Sequence, residues 1–264
     1  MNRLAVLFFA LVTLGSCSEL AKVSKSTDYD YKLKKADEFY AKQNYNSAQV
    51  LYEDIFPVMK GTAKFEDLYY KYAYCAFYLK DFINAENLFK GFVELFPNSA
   101  RTEECDYMRA YSYYKQSPKY ELDQTNTTKA IALMQAFINT HPNSARTKEA
   151  ANLIDNCREK LELKDFKAAE LYFTIGNYRA ANTTFTTLNE NYPDSPHSDE
   201  YKFWLIKSAY LFAQNSIEEK MKERYEQVVA HCADFTDRFP DSKLAGEVGN
   251  YLKLAKNDIK NLPK

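Results

Sequence analysis

The segment AELYFTIGNYRAANTTFTTLNENYPDS, Ala169 to Ser195, decides the fold of this chain. Its apolar residues follow the period of two amphipathic helices, with a break between the helices at Gly176. Small residues at Ala169 and Ala181 allow the two helix backbones to approach closely, and Tyr172 and Phe185 are expected to fill the space beside them. One such helix pair cannot bury its own apolar face, so the segment predicts further copies along the chain.

The same spacing recurs upstream in two sets of small, aromatic and proline residues: Ala36, Phe39, Ala48 and Tyr52, then Ala73, Ala85, Phe89 and Pro97. The spacing resembles the tetratricopeptide repeat, whose helix-turn-helix unit contains small, aromatic and proline residues at these offsets; the matching residues in the quoted segment are Ala169, Tyr172, Gly176, Tyr178, Ala181, Phe185, Leu188 and Pro193. The first copy is expected to end near Pro57.

Three less regular regions complete the predicted array. The third copy has a helix over 101–116, a polar insertion, and a partner helix with Ala130 and Met134 at the expected spacing. We expect a long helix over 145–174, an altered fifth copy over 200–240, and a last amphipathic helix over 244–259. The sequence therefore predicts an all-α tetratricopeptide-repeat solenoid of about five helix-turn-helix units with a C-terminal capping helix.

Four predicted turns share a signature of an aromatic or histidine residue, proline, Asn or Asp, and serine, at 96–99, 141–144, 192–195 and 239–242. Proline ends a helix because it lacks a backbone N–H, and Asn, Asp or Ser is expected to cap the helix that follows. Successive prolines of the signature are 45, 51 and 47 residues apart, which is longer than one simple repeat. The helices or their connections are therefore extended.

The N-terminus is predicted to be a lipoprotein signal. Residues 1–16 contain an early arginine and an apolar run that is too short to span a membrane. Residues 14–17 resemble a bacterial lipobox, which predicts lipidation of Cys17; ordinary signal cleavage beside a chance cysteine is the alternative. Residues 17–27 are expected to form a lipidated flexible tether. By resemblance to enteric lipoproteins, Ser18 favours an outer-membrane location, with the lipid as the sole membrane attachment.

Composition and charge narrow the class of protein. The 264 residues include 35 Lys and Arg against 36 Asp and Glu, a balance that gives no electrostatic reason to expect nucleic-acid binding. Few Gly and Pro, together with 22 Tyr and 18 Phe, favour helices packed by aromatic rings. No metalloprotease, nucleophile-elbow or phosphate-loop motif is present, so we expect no enzymatic activity, no cofactor and no metal site.

Four cysteines remain after Cys17: Cys75, Cys105, Cys157 and Cys232. In an exported protein this even number permits two disulfides in three possible pairings. The alternative, which the apolar surroundings of these residues favour slightly, is that all four are buried thiols within helices.

Aromatic residues are the candidate functional residues. Tyrosines fall in the predicted first helices of the first three repeats, where a tetratricopeptide array lines its concave groove: Tyr40, Tyr70, Tyr74, Tyr78, Tyr107, Tyr111 and Tyr114, with Phe77 among them. A tyrosine offers a wide apolar ring and a hydroxyl, both suited to binding a peptide. The alternative is that individual rings only pack between helices.

A lipobox, a tether, five degenerate repeats and a final helix in one chain together resemble the BamD family, outer-membrane lipoproteins of the β-barrel assembly machinery. The resemblance implies a scaffold that binds the BamA-like barrel subunit through its periplasmic domains, binds unfolded outer-membrane proteins, and associates with further accessory lipoproteins. It places the substrate surface in the repeats over 28–143, between Tyr40 and Tyr114, and partner docking in 144–264, within 145–240. A periplasmic tetratricopeptide adaptor and a glycan- or ligand-binding outer-membrane lipoprotein are the alternatives.

Overall fold

The computed structural model describes residues 19–263, and its only regular secondary structure in this range is helical. A short helical stretch over 19–24 comes first. Eleven longer helices follow within the described range: α1 Tyr29–Ala41, α2 Tyr45–Met59, α3 Phe65–Tyr78, α4 Phe82–Leu95, α5 Thr102–Gln116, α6 Thr125–Thr140, α7 Thr147–Thr174, α8 Tyr178–Asn191, α9 Ser198–Gln214, α10 Glu218–Arg238 and α11 Ala245–Asn261. The signal peptide predicted over 1–16 and Cys17 lie outside the described residues.

The helices form the hairpin array that the sequence predicts. From α1 to α6 each helix packs against the next one, and so does each helix from α8 to α11. The predicted bounds of α5, α7 and α11 are within two residues of the observed bounds. The all-α tetratricopeptide-repeat fold is therefore confirmed.

The chain divides into two compact units, one ending at Cys157 and the other beginning at Arg158. Both of these residues lie within α7, whereas the sequence suggests a division between residues 143 and 144. Each unit has its own hydrophobic core. Fully buried aromatic rings such as Phe89 and Phe137 are in the first unit, and Phe185 and Phe235 are in the second.

Three hairpin turns are built in the same way. In each turn, the residue two positions before the second helix has a positive φ angle: 59° for Gln43, 63° for Lys80 and 78° for Gly176. The next residue is Asn44, Asp81 or Asn177, and its side chain accepts a hydrogen bond from the backbone N–H three residues later. Asn and Asp are favoured caps because they satisfy a helix N–H that has no partner in the helix. In each turn, the positive-φ residue and the Asn or Asp after it therefore fix where the second helix begins.

The small residues of the repeat pattern lie at helix contacts, as predicted. Ala36, Ala48, Ala73, Ala85 and the pair from the quoted segment, Ala169 and Ala181, have no exposed surface. Phe185 is also fully buried, but the expectation for Tyr172 is wrong, because its side chain is 40% exposed. The ring that stacks on Phe185 is Trp204 from α9, at 5.8 Å between ring centroids.

The serines of the proline signature link successive repeats and do not cap helices. Each serine Oγ donates a hydrogen bond to a carboxylate on the first helix of the preceding repeat: Ser99 to Glu66 at 2.6 Å, Ser144 to Glu103 at 2.5 Å, Ser195 to Glu162, and Ser242 to Asp199 at 2.6 Å. The same oxygen accepts from the backbone N–H two residues later, as Ser99 does from Arg101. The N-cap residues of α5, α9 and α11 are Arg101, His197 and Leu244, and none of these three helices has a side-chain hydrogen bond at its cap. The predicted capping role is thus wrong for these helices.

Two further expectations change at the start of the array. The predicted flexible tether over 17–27 includes the helical residues 19–24, in which Val23 is 1% exposed and belongs to the core of the first unit. Glu19 forms an ion pair with Lys35 on α1 at 3.1 Å. In addition, α2 continues through Pro57 to Met59, since the proline occupies the last turn.

Gly91 on α4 leaves room for the side chain of Tyr69 on α3. A Cβ atom at this position would lie 2.2 Å from the hydroxyl of Tyr69. The Tyr69 ring is 7% exposed and packs against the rings of Phe65 and Phe92, so it has little freedom to move away. The glycine is therefore required by packing, even though glycine disfavours a helix interior.

We predict that Gly91→Ala lowers the free energy of unfolding by about 1–3 kcal/mol, the usual range for overpacking a core. Adding Tyr69→Phe should restore part of the loss, because it removes the hydroxyl that is 2.2 Å from the new methyl group. The matched control is Gly246→Ala on α11, where no atom lies within 4 Å. That control should gain up to about 1 kcal/mol from helix propensity. Urea unfolding followed by circular dichroism measures all three, and equal effects at Gly91 and Gly246 would contradict the packing explanation.

Candidate peptide-binding surface

Six aromatic rings of the first unit form a continuous series, which we call the aromatic ladder. Helices α1, α2, α3 and α5 contribute its members: Tyr40, Tyr45, Tyr78, Phe77, Tyr111 and Tyr114. Successive ring centroids are 5.6, 4.4, 6.0, 5.8 and 5.8 Å apart. Such distances are typical of favourable aromatic pairs. The ladder joins three consecutive helix hairpins.

The ladder keeps part of its surface accessible. Tyr78 is 46% exposed, and Tyr40, Tyr111 and Tyr114 are half-buried. The structure therefore brings together four of the seven predicted tyrosines and adds Tyr45, which the sequence analysis missed. The position of Tyr45 directly after the Asn44 cap, at the start of a second helix, was the available signal.

Two of the predicted contact residues are core residues, which corrects their assignment to a binding surface. Tyr107 is 1% exposed and Tyr74 is 7% exposed, so neither ring offers a surface to a peptide. The Tyr74 hydroxyl donates to Glu104 at 2.7 Å, and the half-buried Tyr70 donates to the other oxygen of the same carboxylate at 2.8 Å. Burial and then this hydrogen bond raise the pKa of Tyr70 to about 12. Both hydroxyls are thus held inside the protein.

Charged side chains of alternating sign form a chain of ion pairs along the same first helices. Lys71 contacts Asp37 at 2.9 Å and Asp67 at 2.6 Å, and Arg101 contacts the other oxygen of Asp67 at 2.9 Å. The Arg101 guanidinium lies 4.5 Å from the ring centroid of Tyr70, within cation–π range. This chain of ion pairs connects α1, α3 and the turn before α5, so it joins three successive repeats.

The same arrangement recurs one repeat further on. Arg146 contacts Glu104 at 3.4 Å and lies 4.6 Å from the ring centroid of Tyr107. The Arg101 and Arg146 side chains are each 38% exposed, so both guanidinium groups remain partly accessible. A peptide at this surface would therefore meet tyrosine rings and arginines whose positions are set by acidic neighbours.

The ion-pair chain changes two pKa values. Burial alone would raise the pKa of Asp67, but hydrogen bonds from Lys71 and Arg101 outweigh it and hold that pKa below its ordinary value of 3.8. Burial alone would lower the pKa of Lys71, but hydrogen bonds to Asp67 and Asp37 raise it above its ordinary value. Asp67 therefore contributes stability that is present above its unfolded pKa and lost as pH falls through the lower folded pKa.

A cleft of about 710 Å³ lies beside the ion-pair chain, between α1 and α3. Its walls carry acidic and basic side chains, and its apolar lining comes from Leu33, Ala41 and Ala63. Asp37 and Asp67 line the cleft and also belong to the ion-pair chain. The cleft is thus continuous with the charged part of the surface.

The four cysteines after Cys17 are buried in the protein. Cys75, Cys105 and Cys232 are free and buried and Cys157 is buried, which excludes two disulfides; burial raises the pKa of Cys75 to about 12. The described residues contain no group of three or more His, Cys, Asp or Glu that could hold a metal ion. Within residues 19–263, none of the helices combines the length and apolarity needed for a membrane span.

In the second unit, α7 and the turn after it carry exposed apolar side chains. Leu171 is 59% exposed and Ile175 is 63% exposed, and the two are four residues apart and so adjacent along the helix. Leu163 and Tyr172 are each 40% exposed on the same helix. These residues lie in the region in which the sequence analysis expects partner docking.

We predict that Asp67→Asn lowers the free energy of unfolding at pH 7 by about 0.5–1 kcal/mol, since Asp67 is partly exposed and solvent screens its ion pairs. The difference from the unchanged protein should shrink as pH falls below 3.8, the ordinary pKa, and should vanish only below the lower folded pKa, where Asp67 is protonated in both the folded and the unfolded state. Urea unfolding at pH 7, 5 and 3 measures it. The control is Glu94→Gln, because Glu94 is exposed and 3.8 Å from Lys90. An equal loss at pH 3 and pH 7 would show that the carboxylate charge is not the cause.

Comparison with known proteins gives three similarities. The family model YfiO, described as outer membrane lipoprotein, matches residues 27–199. A protein of Aquifex aeolicus (strain VF5) with the provisional name outer membrane protein assembly factor BamD is 25% identical over 268 residues, covering 99% of this chain and 85% of that protein. A crystal structure of a TPR repeats protein from Bacteroides fragilis is similar with 15% identity, 89% and 100% coverage, and a TM-score of 0.38. Because the family model matches well over half of the sequence, the chain belongs to the YfiO family of outer membrane lipoproteins.

Proposed function

We propose that this protein is a non-enzymatic scaffold of outer-membrane β-barrel assembly, held at the periplasmic face of the outer membrane by a lipid on Cys17. It binds a BamA-like barrel subunit and unfolded barrel proteins. Membership of the outer membrane lipoprotein family supports the location, and the name of the Aquifex relative supports the process. The observation that carries the substrate-binding part is the aromatic ladder of the first unit.

The ladder fits the chemistry of an unfolded barrel strand. A membrane-spanning strand has about 9–11 residues, and its lipid-facing side chains are apolar and often aromatic. Side chains on one face of an extended strand are about 7 Å apart, comparable with the 4.4–6.0 Å steps between ladder rings. Rings on such a peptide can therefore pack against several ladder members at once.

The polar groups around the ladder would bind the peptide backbone. An extended peptide has N–H and C=O groups that need partners when water is removed. Ladder tyrosines offer hydroxyl groups, and Arg101 and Arg146 offer partly accessible guanidinium donors. Backbone contacts do not depend on side-chain identity, so this surface would accept many barrel sequences.

We propose that the barrel subunit docks on the second unit, at the exposed apolar residues of α7 and of the turn after it. Leu171 and Ile175 are the two most exposed of these side chains. Large apolar side chains that are surrounded by polar surface are typical anchors of protein interfaces. Associated accessory lipoproteins would bind elsewhere on the array.

We predict that Leu171→Asp combined with Ile175→Asp abolishes capture of the BamA-like subunit from detergent-solubilised envelopes, because a charge would be buried at the interface. Cells depleted of the native protein and complemented with this variant should lose outer-membrane barrel proteins. The matched control is Leu254→Asp on α11, a residue of similar chemistry that is 45% exposed. Normal capture and normal barrel levels with the double variant would reject docking at α7, and normal barrel levels after depletion alone would reject the function.

We predict that Tyr78→Ala with Tyr114→Ala weakens binding of a ten-residue peptide copied from an aromatic-rich porin strand by about tenfold or more, the effect of losing one interface hot spot. Fluorescence anisotropy with the labelled peptide measures the change. Tyr172→Ala is the control, because Tyr172 is 40% exposed but lies outside the ladder. Unchanged circular dichroism should accompany the loss. Tyr74→Ala should unfold the first unit instead, since that ring is in the core.

A further inference from the structure

Three turns of the first unit lie along one edge, which we call the turn edge. It consists of the α1–α2 turn at 42–44, the α3–α4 turn at 79–81 and the α5–α6 loop at 117–124. Tyr45 at the start of α2 stacks on Tyr78 at the end of α3, with ring centroids 4.4 Å apart. Gln116 at the end of α5 donates to the carbonyl of Phe82 at the start of α4, at 3.2 Å. These contacts connect the first turn to the second and the second to the third.

The turn edge exposes apolar side chains among lysines. Leu79 is 39% exposed, Ile83 beside it is 68% exposed, and Leu122 in the third turn is 59% exposed. The exposed charged residues along the edge are four lysines and three acids: Lys42, Lys80, Lys115 and Lys119, with Asp81, Glu121 and Asp123. The turns at the other ends of these helices, 60–64, 96–101 and 141–146, contain no exposed large apolar side chain themselves, and the helix ends beside them expose Val58 and Leu95, at 48% and 50%.

The N-terminal segment runs toward the turn edge. Residues 19–24 are joined to the start of α1 by a turn in which the N–H of Ser26 donates to the carbonyl of Val23. Glu19, at the far end of that segment, pairs with Lys35, which lies six residues into α1. The segment therefore lies antiparallel to α1. Its N-terminal end, at Glu19, is the end that lies away from the start of α1 and toward the α1–α2 turn.

Chain length limits how far the predicted lipid attachment point can lie from the packed segment. Cys17 is two residues before Glu19, and two residues of chain span at most about 7 Å. From Lys35 to the end of α1 at Ala41 the helix rises about 9 Å, at 1.5 Å per residue. A lipid on Cys17 would thus enter the bilayer from near the end of the unit that carries the turn edge.

We propose that the turn edge of the first unit lies on the membrane surface, with Leu79, Ile83 and Leu122 inserted among the lipid headgroups and the neighbouring lysines near lipid phosphates. Apolar side chains flanked by lysines are suited to the boundary between headgroups and acyl chains. The inference rests on the proposed lipidation of Cys17. A lipid on Cys17 would hold the protein at the membrane without fixing its orientation, and a second contact of this kind would fix it.

This orientation would place members of the aromatic ladder beside the bilayer. Tyr78 belongs to the ladder and immediately precedes Leu79 in the turn edge, and Tyr45 immediately follows the first turn. A barrel strand bound at the ladder would then lie next to the membrane that it is to enter.

The test uses the full mature lipoprotein in vesicles of phosphatidylethanolamine and phosphatidylglycerol that contain a nitroxide-labelled lipid. Single cysteines are introduced by Leu79→Cys or Leu122→Cys on the turn edge, and by Ala63→Cys or Asn98→Cys at the opposite turns, then labelled with bimane. The four native cysteines are buried, and the protein without an added cysteine measures their background labelling. Labels at 79 and 122 should be quenched roughly twofold or more beyond labels at 63 and 98, because interfacial side chains enter about 5–10 Å into the boundary region.

Each outcome decides one proposal. Equal quenching at both edges, or none at 79 and 122 while the protein floats with the vesicles, would overturn the turn-edge inference and leave the lipid anchor intact. A protein that does not float would overturn the anchor and this inference together. A further variant carries the label on a cysteine introduced by Lys119→Cys. Adding Leu79→Glu and Leu122→Glu to this variant should reduce the quenching. Adding Leu95→Glu instead should not reduce it, because this side chain, 50% exposed, lies near the opposite edge.

Discussion

Close approach of helix backbones at alanine positions is the constraint on which the rest of the structure depends. Ala36 and Ala48 in the first hairpin, and Ala73 and Ala85 in the second, have no exposed surface. At close approach, the aromatic rings beside the alanines fill the remaining space, so the rings are held in fixed positions relative to one another. The aromatic ladder follows from this constraint, because its rings belong to helices whose separation the alanines set.

Polar contacts between successive repeats make the candidate surface a fixed one. The signature serines connect each turn to a carboxylate of the preceding repeat, and Lys71 and Arg101 connect acidic residues along the first helices. Solvent screens these partly exposed links, so each contributes only about 0.2–1 kcal/mol, but several of them along one face together resist separation of the repeats. A preorganised surface loses less entropy on binding a flexible peptide than a mobile one would.

The sequence was sufficient for the helices and their pairing, because small residues at fixed offsets and prolines between helices are local signals. The sequence was insufficient to predict which tyrosines of each first helix are buried and which are exposed. Tyr74 and Tyr78 are four residues apart on α3, yet one is 7% exposed and the other 46%. The Tyr74 ring packs against Phe89 on α4, and its hydroxyl donates to Glu104, a residue thirty positions away in sequence. Residues 19–24 were also missed, since so short a helix forms only where Val23 is buried by the rest of the unit.

The packing of residues 19–24 against α1 reduces the distance that the folded part can move from a lipid on Cys17. If Cys17 carries a lipid, eleven flexible residues over 17–27 would let the fold move about 18 Å from its anchor, by the random-coil scaling of end-to-end distance with the square root of length. With the segment packed, only the two residues before Glu19 remain as a link. The accessible volume then falls by about tenfold, and the local concentration of the bound surface at the membrane rises by the same factor.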